Sequence, residues 1–176
     1  GTGTRMNSKT KPKQFLELNG KPIIIHTIEL FESHPEIDAI AVVCLESWIG
    51  YLNELLERFR IKKVKYVVPG ETGQQSITNG LTAFWDDQDI PRDSLVLIHD
   101  GVRPLINEDI ITRSIECAKQ YGNAITVTPA IETIITVSED DSVDQIMDRS
   151  KCRMARAPQT FRLCDIVEAH NKAITD

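Results

Sequence analysis

The chain opens on Gly1-Thr2-Gly3-Thr4-Arg5-Met6 and runs through Lys9, Lys11 and Lys13 to Gln14-Phe15. Glycine has no Cβ, so a glycine-rich turn lets backbone amides approach a ligand closely. Amides converging on an anion, with an arginine and a lysine nearby, suit a polyphosphate. Taken alone, the same residues read more readily as a surface turn with solvated lysines, because a lone G-x-G is a weak signal. The spacing is not G-x-x-x-x-G-K-[ST], which disfavours a P-loop ATPase.

Three other segments carry residues that can do chemistry. His99-Asp100-Gly101-Val102-Arg103-Pro104 follows an apolar run. A carboxylate there suits Mg²⁺, a hard cation that takes oxygen ligands and bridges phosphates. Arg103 suits phosphate, or Asp100 itself as a structural ion pair. Pro69-Gly70-Glu71-Thr72-Gly73-Gln74-Gln75-Ser76 opens the backbone twice and offers Ser76 as a helix cap; an ordinary strand-to-helix loop has the same composition. Arg149, Arg153 and Arg156 precede Ala157-Pro158-Gln159-Thr160-Phe161. They suit a second anion, a solvated face or a contact between subunits.

Strand-like runs lie at Ile37 to Leu45, Val64 to Val68, Leu95 to His99 and Ala124 to Thr128, each short, apolar and rich in β-branched residues. Helical spacing lies between them. Pro22 suits the first turn of a helix carrying Ile24, Thr27, Ile28 and Phe31. Trp48, Leu52, Leu55, Leu56 and Phe59 share one stripe. Gln75 to Trp85, Glu108 to Tyr121 and Leu163 to Ala173 complete the set, with Gly122 as a helix stop. Alternating strands and helices imply parallel βαβ units, hence an α/β sandwich. Ligands bind beyond the carboxyl ends of such strands, which selects the first loop, Pro69 to Ser76 and His99 to Pro104. Thr133 to Val137, a turn at Glu139 to Ser142, and Val143 to Met147 form a hairpin pattern that projects from the sheet.

A length of 176 residues with 41% apolar and 26% charged residues fits one globular domain. The net charge of −6 argues against nucleic acid as a partner. No apolar run approaches the roughly 20 residues of a membrane helix. The four cysteines form no C-x-x-C pair and the histidines show no ligand spacing. Reduced thiols in a cytoplasmic protein are expected, and zinc is not. His26 and His99 lie in apolar patterns, as core residues do.

Taken in order, GTGTRM, PKQFLELNGKPIIIHT, VVPGETGQQSITNGL, HDGVRP, PAIET and ARAPQTF span nearly the whole chain. Together they resemble the cytidylyltransferases that activate polyol phosphates, in the branches making CDP-ribitol and CDP-methylerythritol. The resemblance implies a three-layer α/β sandwich with a mostly parallel, Rossmann-like sheet and a projecting β-arm at about 132–150 that reaches into the partner of a homodimer. It implies CTP and a polyol phosphate as substrates, with Mg²⁺ as cofactor. Arg5 and Lys13 match the catalytic pair at the α-phosphate; Gly1, Gly3 and Thr4 match the triphosphate loop. Gly70, Glu71 and Ser76 match cytosine-recognising positions. Asp100 matches a nucleotide and Mg²⁺ contact, while Arg103, Thr133 and Arg149 match polyol-phosphate contacts. Ribitol 5-phosphate or a related pentitol phosphate is the expected acceptor, with methylerythritol 4-phosphate as the alternative. Gly73 stands where the family commonly has arginine, which keeps a non-catalytic nucleotide-binding paralogue in play. The resemblance also implies a strand before Gly1 and roughly 50 residues after Asp176, carrying another Mg²⁺-binding aspartate and a substrate-side lysine.

Overall fold

The computed structural model describes residues 11–175. Gly1, Gly3, Thr4 and Arg5 therefore lie outside the described residues.

A 3₁₀ turn, Lys13–Phe15, drops Phe15 fully into the core, where its ring stacks on Trp48 at 5.0 Å. A small hairpin follows, β1 (Glu17–Leu18) and β2 (Lys21–Pro22). Its turn is Asn19-Gly20 with φ of 53° and 76°, the two positive values a tight two-residue hairpin needs. Pro22 then sits at the N-cap of α1 (Ile23–Glu32), which buries Ile24, Ile25, Thr27, Ile28 and Phe31 as the spacing predicts. Next come β3 (Ile40–Cys44), α2 (Ile49–Arg58), β4 (Val64–Pro69), α3 (Gly73–Trp85), β5 (Leu95–Ile98), α4 (Glu108–Tyr121) and β6 (Asn123–Pro129). The chain continues through β7 (Ile135–Val137), β8 (Val143–Ile146), β9 (Arg153–Arg162) and α5 (Leu163–Thr175). Asn107 caps α4 by accepting from the Ile110 amide at 3.0 Å, and Gly122 ends it at φ 90°.

β3 and β4 pair in parallel across α2, the expected βαβ unit. β9, which the sequence reading did not anticipate, lies between β5 and β6 and runs antiparallel to both. It follows that β5 and β6 point the same way.

Alternation along β3 separates the helix layers. Val42 packs in the cluster of Phe15, Ile24, Ile28 and Leu52, which belongs to α1 and α2. Val43 points the other way, against Gly70 and Gly80 of the α3 side. Leu95 and Leu97 of β5 pack beside Phe31, Ile111 and Ile115, so α4 shares the face of α1. Three layers result.

Among the described residues β3 pairs only with β4, and β5 only with β9. Between the edges left unpaired among the described residues runs a cleft of about 1010 Å³, lined by both strands and by side chains of α1 and α3, among them Ile24, Phe31, Ile77 and Leu81.

The projecting hairpin is present. β7 and β8 pair antiparallel, with Ile135 opposite Ile146 and a turn at residues 138–142. Its apolar side chains are unusually open: Val137 is 55%, Val143 60% and Ile146 68% exposed.

Candidate active site

The segment from His99 to Arg103 folds back on itself just past β5. The Arg103 amide donates to the Asp100 carbonyl at 3.0 Å, closing a turn. The Arg103 side chain donates through Nε to the Asp100 carboxylate. His99 Nε2 lies 2.9 Å from the Arg103 carbonyl. A carbonyl only accepts, so Nε2 carries the proton and Nδ1 is left as a bare acceptor. That Nδ1 is buried and has no partner among the described residues. Burial pushes the imidazole below its usual value, and the Arg103 carbonyl pulls it back less strongly. His99 is thus a neutral, half-satisfied histidine rather than the satisfied core residue its pattern suggests. Thr27 Oγ1 of α1 donates to the Gly101 carbonyl at 3.0 Å and ties the turn to the body of the domain.

The second loop runs from β4 into α3. Its helix cap is Thr72, whose hydroxyl accepts from the Gln75 amide at 3.2 Å. Ser76, which the sequence offers as a cap, instead sits one turn inside the helix, with its amide donating to the Thr72 carbonyl at 2.9 Å. Gly70 is buried, and a Cβ there would stand 2.5 Å from Ser76 Oγ and 2.6 Å from Val43 Cγ1. Close packing alone therefore demands a glycine. Glu71 is exposed beside it. Gly73 has open space around its Cα, so its lack of a side chain answers no steric need.

A pocket of about 220 Å³ lies against the turn, lined by Ile98, His99, Asp100 and Arg103 on one side and by Arg156 and Gln159 of β9 on the other. Asp100 also lines the larger cleft together with Ser76 and Gly73, so the second and third predicted segments do converge. Lys13 lines neither space; it stands in the 3₁₀ turn before Phe15, half-buried. Thr133 and Arg149 lie at the root of the arm, both exposed. Arg149 donates to the Ile131 carbonyl at 3.1 Å, which braces the arm within its own chain. The sequence reading grouped Arg156 with the other arginines and gave Gln159 no role. Only the pairing of β9 with β5 brings both to Asp100, and no local motif signals that pairing.

A layered α/β domain with a carboxylate, an arginine and glycine-bearing loops at the carboxyl ends of its strands belongs to the nucleotide-binding α/β class. More narrowly, the chain belongs to the 2-C-methyl-D-erythritol 4-phosphate cytidylyltransferase family, whose profile matches residues 1–176. It is 55% identical over 177 residues to a ribitol-5-phosphate cytidylyltransferase of Vibrio parahaemolyticus, covering 100% of this chain and 74% of that protein. A 2-C-methyl-D-erythritol 4-phosphate cytidylyltransferase of Syntrophus aciditrophicus is 35% identical over 178 residues, covering 100% and 74%. Among solved structures, the 4-diphosphocytidyl-2C-methyl-D-erythritol synthase of Anaerococcus prevotii superposes with a TM-score of 0.81 at 26% identity, over 91% of this chain and 68% of that one.

Proposed function

We propose that this chain transfers CMP from CTP to ribitol 5-phosphate or a closely related pentitol phosphate, releasing pyrophosphate. The observation that carries this reading is the 55% identity, along its whole length, to a ribitol-5-phosphate cytidylyltransferase. Methylerythritol 4-phosphate is the second reading, favoured by the family description but carried by a relative at 35% identity.

A phosphate oxygen of the polyol phosphate attacks the α-phosphorus of CTP in line. The bond from that phosphorus to the bridging oxygen breaks, and pyrophosphate leaves with the electron pair. No covalent nucleophile is needed, so positioning and charge neutralisation carry the rate. Arg5 and Lys13 are assigned to the α-phosphate, and Gly1, Gly3 and Thr4 to the triphosphate. Gly70, Glu71 and Ser76 are assigned to the base, and Arg103, Thr133 and Arg149 to the polyol phosphate.

Mg²⁺ fits Asp100, since this ion usually takes one or two carboxylates and completes its shell with water and substrate phosphates. Asp100 is 56% exposed and borders the pocket, so its carboxylate is accessible. When bound, the ion would neutralise phosphate charge. The exposed apolar arm supports a homodimer in which it docks on a second copy. The free edges of β3 and β5, facing one cleft, support one further strand between them. Four free thiols support a cytoplasmic setting. Among the described residues no helix is long and apolar enough to cross a membrane.

Incubation with CTP, Mg²⁺ and each polyol phosphate separately tests the assignment. Pyrophosphate and CDP-ribitol are expected. Turnover of methylerythritol 4-phosphate alone would transfer the assignment to that acceptor, and CTP binding without pyrophosphate release would make the chain a binding paralogue.

A further inference from the structure

Where β9 passes the pocket it does not keep step with β6. Ile125 pairs with Gln159 and Val127 with Ala155, so Arg156, Ala157 and Pro158 stand against the single Thr126. Thr126 Oγ1 donates to the Pro158 carbonyl at 2.7 Å and anchors the bulge from below. On the other edge the β5 ladder stops at Ile98 opposite Gln159. The bulge thus begins where β5 gives way to His99 and Asp100. Bulges redirect side chains and cluster beside active sites. This one delivers Arg156 to the wall facing the Asp100–Arg103 pair.

The charges on that wall do not balance. Asp100 and Arg103 neutralise each other. Arg156 has no carboxylate partner among the described residues; its guanidinium reaches only Met154 Sδ, at 3.8 Å. Gln159 donates to the Arg156 carbonyl at 3.2 Å, which fixes the backbone of the bulge. One uncompensated, forked cation therefore faces a small polar space. Such a fork matches two oxygens of a phosphate. The pocket, at about 220 Å³, is smaller than the roughly 300 Å³ where drug-sized ligand sites begin. That suits a phosphate on a short polyol.

We propose that Arg156 recognises the phosphate monoester of the acceptor, an arginine additional to those the family resemblance marks. This rests on the acceptor being a polyol phosphate, as proposed above.

Arg156→Ala and Arg156→Lys test it by steady-state kinetics, with thermal melting as the folding control. Arg156 is exposed, so both variants should fold normally. With Ala the KM for ribitol 5-phosphate should rise about tenfold or more, while kcat and the KM for CTP stay within about twofold. Lys keeps the charge but loses the fork, so its KM should fall between the two. An unchanged acceptor KM overturns the proposal. A rise confined to the CTP KM also overturns it, by moving Arg156 to the triphosphate. A direct measurement separates this from failure of the functional reading: the ¹⁵Nε resonance of Arg156, titrated with inorganic phosphate. A saturable shift in the wild type is expected even if no acceptor turns over, and no shift overturns the assignment.

Discussion

The carboxylate of Asp100 accepts from Nε of Arg103 within a single turn, and the carbonyl of Arg103 accepts in turn from Nε2 of His99. The residue assigned to Mg²⁺ and a residue assigned to the acceptor are therefore each other's partners. A cation that takes Asp100 must compete with the guanidinium. Arg103→Ala should lower the Mg²⁺ concentration for half-maximal activity while raising the acceptor KM. Asp100→Asn should cut kcat by about 100-fold. Titrating Mg²⁺ against initial rate checks both, and an unmoved midpoint in Arg103→Ala would remove the competition.

Lys13 stands two residues before the fully buried Phe15, so its backbone is held by packing while the residue itself stays half-buried. Lys13→Ala should lose about 100- to 1,000-fold in kcat and keep its melting temperature. Arg5→Ala should behave alike. A variant that melts early yet turns over normally per folded molecule would strip Lys13 of its role.

Gly70 separates a packing demand from a nucleotide-binding one. Gly70→Ala forces a Cβ to within 2.5 Å of Ser76 Oγ and 2.6 Å of Val43 Cγ1. The expected loss is about 1–3 kcal/mol of stability, read from urea unfolding. The KM for CTP of the folded fraction should change far less. A stable variant with a greatly raised CTP KM would show that the backbone approach serves the ligand instead.

His99 predicts a pH dependence of stability. Its folded value lies below the ordinary 6.5 because burial disfavours the charged ring. As pH falls below that ordinary value, the unfolded chain takes up the proton first. Stability is therefore full above about pH 6.5 and declines from there down to the folded value. His99→Gln should flatten this limb of the urea midpoint plotted against pH. An identical slope in the variant would assign the limb to other groups.

On the arm, Val143 and Ile146 expose 60% and 68% of their surface. If a second copy covers them, Val143→Glu with Ile146→Glu should shift sedimentation from dimer to monomer. A wild-type chain that sediments as a monomer at all accessible concentrations would refute the docking arm.

The helices were legible because each has one buried stripe and a marked end: Pro22 before α1, Gly122 after α4. The central strands were legible because β-branched runs at Val42-Val43 and Leu95 to Ile98 have few other uses. The cap of α3 falls at Thr72 rather than Ser76: Thr72-x-x-Gln75 carries a capping signature, and the Thr72 hydroxyl accepts from the Gln75 amide at 3.2 Å. A helix taken to begin at Gln75 hides that signature, because Thr72 then lies outside its first turn. β9 was hidden by its composition. Arg153-Met154-Ala155-Arg156 is exposed along its length and shows no alternation, so its strand character comes from pairing with β6 alone. The pocket wall carrying Arg156 was hidden with it, since nothing local reveals a non-local pairing.

The cleft between β3 and β5 also has a colloidal side. Among the described residues two unpaired strand edges flank it, and most of the side chains lining the space between are apolar. Any extended segment that enters gains hydrogen bonds on both flanks and buries its side chains at once.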